Sequence, residues 1–128
     1  MNLLLDTHAL LWFISGESKL SENARRLIED ATNDKFVSIA SLWEIAIKVS
    51  IGKMPLTGTF DDLFPQQLKI NGFGLLPISV EHVSILTSLP FHHRDPFDRL
   101  LVAQSMADNM DLLSVDNVFD NYIVNRIW

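Results

Sequence analysis

Apolar residues gather along this chain in two ways. Short runs with little polar interruption stand at 2–5, 36–39, 74–78 and 112–115. Runs of that length without alternation read as strands buried on both faces, the kind found in parallel sheets. Between them apolar residues recur every three or four positions. THALLWFI, directly after the first run, reads as a helix. Leu20, Ala24, Leu27, Ile28 and Ala31 fall at helical spacing, with Ser21 placed to cap them. SLWEIAIKVSIGK has Ser41 at a cap position and Gly52 past its end. A further helix is expected over 61–70, with Pro65 inside it and Asn71-Gly72 ending it. Ser79 is expected to cap another that stops before Pro90, and Asp95-Pro96 opens the last, with proline at its first position. The proline within 74–78 points to an edge or irregular strand. The tail, 122–128, is expected to add a fifth strand, with Tyr122, Val124 and Arg126 on one face and Ile123 and Ile127 on the other. Short buried strands alternating with helices predict a three-layer α/β/α fold around a mostly parallel sheet of four or five strands.

Length and composition narrow the picture. No repeat, low-complexity tract or linker divides the 128 residues, so one domain over 1–128 is expected. The 48 % hydrophobic content supports a packed core rather than disorder. The absence of cysteine removes disulfides, thiol nucleophiles and cysteine-held zinc together, and fits a reducing compartment. No apolar run approaches the roughly 18 residues of a membrane span, and Asp6 breaks the N-terminal run too early for a signal peptide. A cytoplasmic protein without membrane contact is therefore expected. The net charge of −6 speaks against a nucleic-acid partner unless the acids are gathered in one place and neutralised there by a cation.

Four carboxylates meet that condition. In parallel sheets ligands bind beyond the carboxyl ends of the strands, where the chain turns into helices. Asp6 ends the first run and Asp116 the fourth; Glu44 and Asp98 fall in the first turns of the helices opened by Ser41 and Asp95. All four are then expected on one rim. Each has a local alternative. Ser41 and Glu44 match a capping box, Asp95 and Asp98 a cap with a dipole-matching acid, and Asp6 and Asp116 suit turns. As a set the local roles explain less. Like charges about 4 Å apart repel by roughly 4 kcal/mol at an effective dielectric near 20. A bound cation relieves that repulsion, and hard oxygen ligands without cysteine suit Mg²⁺ or Mn²⁺. Such an ion can polarise a phosphoryl oxygen, generate hydroxide and steady a leaving oxygen, the needs of phosphodiester hydrolysis. Setting the four acids aside leaves a charge of −2 on the rest of the chain.

LLLDTHALLW, SLWEIAIKVSIGK, HRDPFDRLLVAQS and LLSVDNVF, in this order, resemble the PIN-domain ribonucleases, and among them the VapC toxins of prokaryotic toxin–antitoxin pairs. The resemblance implies a PIN-like fold and metal-dependent cleavage of RNA, with Asp6, Glu44, Asp98 and Asp116 as the acidic metal site. It places Asp95 with an extra acid of this subgroup, for which an N-cap is an equal alternative. It places Ser114 where the family often has a small hydroxyl residue near the site. It also implies an antitoxin that wraps the toxin as a peptide, in some pairs with an arginine inserted at the acidic rim.

Other residues carry weaker signals. His92, His93, Arg94 and Arg99 form the densest basic cluster and are candidates for phosphate contacts, against a solvated loop with ion pairs. Lys48 and Lys53 read as surface lysines, and His82 as a surface or packing residue. Trp12, Trp43 and Phe97 are candidates for base stacking, with core packing the simpler reading. HExxH and GxSxG are absent, and Gly52-Lys53 lacks the rest of a phosphate loop. Leu42, Trp43, Ile45, Ala46, Ile47, Val49 and Ile51 wrap beyond one helical face, and a homodimer is expected to cover the surplus. The competing reading is a non-catalytic acidic α/β module, similar in outline to a receiver domain, that binds a metal and a partner protein. A receiver needs a lysine near its last strands, and none follows Lys69.

Overall fold

The computed structural model describes residues 1–128. Its sheet contains five strands, β1 (Asn2–Leu5), β2 (Asp34–Ser38), β3 (Phe73–Leu76), β4 (Asp111–Leu113) and β5 (Arg126–Ile127). All pairs are parallel, in the order β3-β2-β1-β4-β5. The six helices are α1 (Thr7–Ser15), α2 (Glu22–Glu29), α3 (Ile39–Ser50), α4 (Phe60–Ile70), α5 (Val80–Leu86) and α6 (Pro96–Ala107), with a 3-10 turn at Asn117–Asn121.

Strand alternation sorts the side chains into two layers of core. Leu5 pairs with Val37 and with Leu113, and these three face a cluster built with Ala9, Leu10, Ala24, Ile28, Ile45 and Phe64 of α1 to α4. Leu4 and Leu112 face the other way, onto Leu101, Val102, Phe119 and Tyr122, with Phe36 packed alongside. The expected three layers and buried strands are therefore present. Pro77 falls just past the end of β3, which lies at the sheet edge as expected. Gly74 fits there because a Cβ would come 2.8 Å from the Phe36 ring.

The strand order differs from that of a receiver, 2-1-3-4-5. Here the chain moves from β1 outward through β2 to β3, then returns to place β4 on the opposite side of β1. The direction reverses at β1 and β4, and a crevice opens beyond their carboxyl ends.

β2 and β3 differ from the sequence reading by a residue or two at their ends, and three further boundaries differ with more consequence. β2 runs into α3 without a loop, so Ser38, and not Ser41, is the N-cap; its hydroxyl accepts from the Ala40 amide at 3.0 Å. Glu44 consequently sits in the second turn, and no capping box with Ser41 forms. β4 stops at Leu113, so Asp116 lies beyond the strand and caps the 3-10 turn, accepting from the Val118 amide at 3.0 Å. The fifth strand is only Arg126–Ile127, and the alternating face expected from Tyr122 does not exist, because 122–125 follow the 3-10 turn in irregular backbone.

Candidate functional site

Asp6 continues the sheet by one hydrogen bond, its amide donating to the Leu113 carbonyl at 3.1 Å. Its side chain then turns back to cap α1. Oδ1 accepts from the Ala9 amide at 2.7 Å, and Oδ2 accepts from the Ser114 hydroxyl at 2.5 Å. The residue is 5 % exposed. Burial raises its pKa above the ordinary carboxylate value, against the pull of Ser114, Ala9 and His8 and with the help of Asp116. Ser114 also accepts from the Asp116 amide at 3.1 Å, so one buried hydroxyl spaces the two aspartates.

Glu44 enters from α3 and is buried. Its Oε1 accepts from the Thr7 hydroxyl at 2.7 Å, and its Oε2 lies 3.2 Å from Lys48 Nζ, one turn along the same helix. Asp116 Oδ2 faces His93 Nε2 at 2.8 Å. Asp98, in the first turn of α6, is different. No hydrogen bond or ion pair reaches its carboxylate, and burial, followed by Asp95, pushes its pKa up to about 7 despite His93. Glu44 and Asp6 add to the same repulsion.

Asp6, Glu44, Asp98 and Asp116 line one cleft of about 380 Å³ together with Asp95. Asp95 is exposed and caps α6 through the Phe97 amide at 2.8 Å. The cleft is completed by Thr7, His8, Trp12, Lys48 and Val115. Ligand atoms of His93, Asp98 and Asp116 lie within 4.8 Å of one another.

The basic cluster does not act as a unit. Arg99 turns inward, is 7 % exposed, and donates to the carbonyls of Pro90 (2.8 Å), Leu89 (3.2 Å) and Leu86 (3.5 Å). Its guanidinium carbon lies 3.8 Å from the centre of the Phe91 ring. That geometry corrects the expectation of a phosphate contact: the side chain closes the α5–α6 loop. His92 is exposed, packs edge-on against Tyr122 and does not line the cleft. Arg94 is exposed and makes no hydrogen bond, and it stands next in sequence to Asp95 of the cleft.

Several participants escaped the sequence reading. Lys48 is an ion-pair partner of Glu44 rather than a plain surface lysine; the i,i+4 spacing was the available signal. Thr7 had only its place after Asp6 to mark it. Tyr122 holds His93 across 29 residues with no local signal at all. Trp43 is 57 % exposed and meets Phe97 edge-to-face at 5.1 Å, so it is not a core residue.

The PIN domain profile matches residues 3–124. No curated protein matches the chain at a significant level. Among solved structures, a chain of VapBC2 from Rickettsia felis, bound to a DNA fragment from its promoter, aligns at TM-score 0.73 and 15 % identity, over 99 % of this chain and 98 % of that one. FitAcB from Neisseria gonorrhoeae aligns at TM-score 0.67 and 15 % identity, over 98 % and 96 %. A toxin–antitoxin complex from Klebsiella pneumoniae aligns at TM-score 0.66 and 14 % identity, again over 98 % and 96 %. At such identities the likeness is one of fold.

Proposed function

Because the chain belongs to the PIN domain family, we propose that it is a divalent-metal-dependent endoribonuclease and the toxin of a toxin–antitoxin pair. The observation that carries this reading is the convergence of Asp6, Glu44, Asp98 and Asp116, from four separate segments, on one cleft. The donor set fits a hard cation. It is almost entirely oxygen, and Asp98 has no donor to balance its charge. When bound, Mg²⁺ or Mn²⁺ would supply a polarised phosphoryl oxygen and an acidified water.

The protein's own residues do the remaining work. Asp6, Asp98 and Asp116 would hold the ion, with Glu44 beside them in the cleft. Ser114 and Thr7 orient Asp6 and Glu44 through the hydroxyl contacts already described. Lys48 balances Glu44 and, with the exposed Arg94 next to Asp95 in sequence, would offer positive charge to the phosphates on either side of the scissile bond. Asp95 borders the entrance as a cap of α6 and an outer acid.

The toxin role is supported by the motifs in their order and by toxin–antitoxin complexes among proteins of the same fold. An antitoxin peptide that inserts a guanidinium between the acids would replace the cation's charge and block the phosphate path together. The test is cleavage of total cellular RNA with Mg²⁺, with Mn²⁺ and with chelator, the cut sites being mapped. Metal-dependent cuts at defined positions are expected, with a loss of more than about 100-fold in Asp6→Asn and Asp116→Asn. Folded variants that cleave like the parent chain would refute the assignment. Growth arrest on expression without a partner, relieved by the product of an adjacent small gene, tests the toxin role.

A further inference from the structure

The acidic cleft has a nitrogen beside it that the reading above leaves without a task. His93 stands in the loop between α5 and α6, and its side chain is only 9 % exposed. The imidazole is wedged between rings: Phe119 lies 4.5 Å away, centroid to centroid, and Tyr122 stacks at 5.6 Å and 10°. Its nitrogens face opposite partners. Nδ1 is 3.1 Å from the Tyr122 hydroxyl, which also accepts the His93 backbone N–H at 2.8 Å. Nε2 faces Asp116 of the cleft, 2.8 Å from its Oδ2, within the group that also includes Asp98.

We propose that His93 Nε2 is a direct ligand of the cation, beside Asp98 and Asp116, with Tyr122 as the residue that positions it. The nitrogen ligand moves the preference of the centre from Mg²⁺ toward first-row transition ions. The inference rests on the reading of the cleft as a metal centre. Its geometric basis is the spacing of the ligand atoms. An octahedral ion with bonds of about 2.1 Å keeps adjacent ligands roughly 3.0 Å apart. Nε2 and Asp116 Oδ2 already stand close to that separation, so the ring need not turn.

Tyr122 supplies the second requirement. A metal-bound imidazole carries its proton on the remote nitrogen and donates it to an outer partner. The phenol oxygen can receive that proton from Nδ1, and its own hydroxyl can donate to Nδ1 when the proton sits on Nε2. Tyr122 therefore serves either tautomer from one position, fixed by the His93 backbone amide. The selectivity follows from ligand type. Mg²⁺ favours hard oxygen and sheds water reluctantly, whereas imidazole suits transition ions.

The test uses the full chain and Mn²⁺ alone, observed by pulsed electron paramagnetic resonance, with Mn²⁺ and Mg²⁺ affinities measured by calorimetry. Bound Mn²⁺ is expected to show coupling to ¹⁴N that becomes ¹⁵N coupling when the histidines are ¹⁵N-labelled. The coupling should persist in His8→Gln, which alters the exposed histidine of the cleft, and vanish in His93→Gln. The labelled parent chain and His8→Gln give an answer even if His93→Gln does not fold. His93→Gln and Tyr122→Phe are each expected to weaken Mn²⁺ about tenfold and Mg²⁺ less than about threefold. An unchanged Mn²⁺-to-Mg²⁺ ratio in Tyr122→Phe overturns the part given to that residue. Saturable Mn²⁺ binding without histidine coupling, or coupling that survives His93→Gln, overturns the inference and leaves the metal centre standing. No saturable Mn²⁺ binding overturns both.

Discussion

Asp98 is set apart from the other acids because nothing donates to it. Its pKa of about 7, against 3.8 for an ordinary aspartate, fixes the sign of a pH effect. Between those values the native state keeps a proton that the unfolded chain has released, so stability falls as pH rises through that window. With chelator present, the melting temperature is expected to be higher at pH 5 than at pH 8. Asp98→Asn should flatten that slope and stabilise the metal-free protein above pH 7; an unchanged slope would show that another group carries it. The two arginines of HRDPFDR give a second contrast. Arg99→Met leaves three carbonyls without their donor and is expected to cost about 3 kcal/mol in denaturant unfolding. Arg94→Ala should leave stability within about 0.5 kcal/mol. It should also lower the slope of log K for single-stranded RNA against log salt by about 0.7. The acids were legible in sequence because strand ends and helix starts share a rim in parallel sheets. Arg94 and Arg99 were not separable, since five residues give no sign of which guanidinium turns inward. The His93–Asp116 contact spans 23 residues and joins two irregular segments, where no periodicity exists to read.

At the level of elements, the sequence pattern located every strand and helix but misplaced some of their ends. ASLWE and VSIA each offer a serine before an apolar run, and pattern alone cannot choose between two caps three residues apart. The choice is made by a contact distant in sequence: the Ser38 hydroxyl donates to Gln104 Oε1 of α6 at 2.5 Å while capping α3. Gln104 is fully buried and also donates to the Pro77 carbonyl at 3.3 Å. Ser38→Ala removes a cap and strands a buried amide oxygen, so a loss of about 2 kcal/mol is expected. Ser21→Ala, which removes only the cap of α2, is expected to cost about 1 kcal/mol. Equal losses in urea unfolding would mean that the tie to α6 adds nothing. The same register shift moves Glu44 off the helix terminus and onto the face that carries Ser41, Ile45 and Lys48.

At the level of the molecule, an apolar stripe on α3 stays uncovered. Trp43 and Ile47 of α3 and Ile51 at its C-cap follow one another at i, i+4 and i+8, at 57 %, 38 % and 58 % exposure, while Leu42 and Ile45 fill the core. A two-fold partner seated on this stripe is expected, with a dimer mass in light scattering at tens of micromolar. Trp43→Glu with Ile47→Glu should give a folded monomer; a parent chain that is already monomeric would refute the dimer. The hydrogen bond between Asp6 and Ser114 joins groups 108 residues apart, and it bears on how the molecule is made. A ribosome delivers Asp6, Thr7 and Glu44 early and Asp98 and Asp116 late. At roughly 5–20 residues per second, the nascent chain spends several seconds holding half a cleft, with one side of β1 still bare. If the chain is the ribonuclease proposed above, this order of synthesis would leave the emerging polypeptide without a complete acidic cleft beside the message and ribosome that are making it.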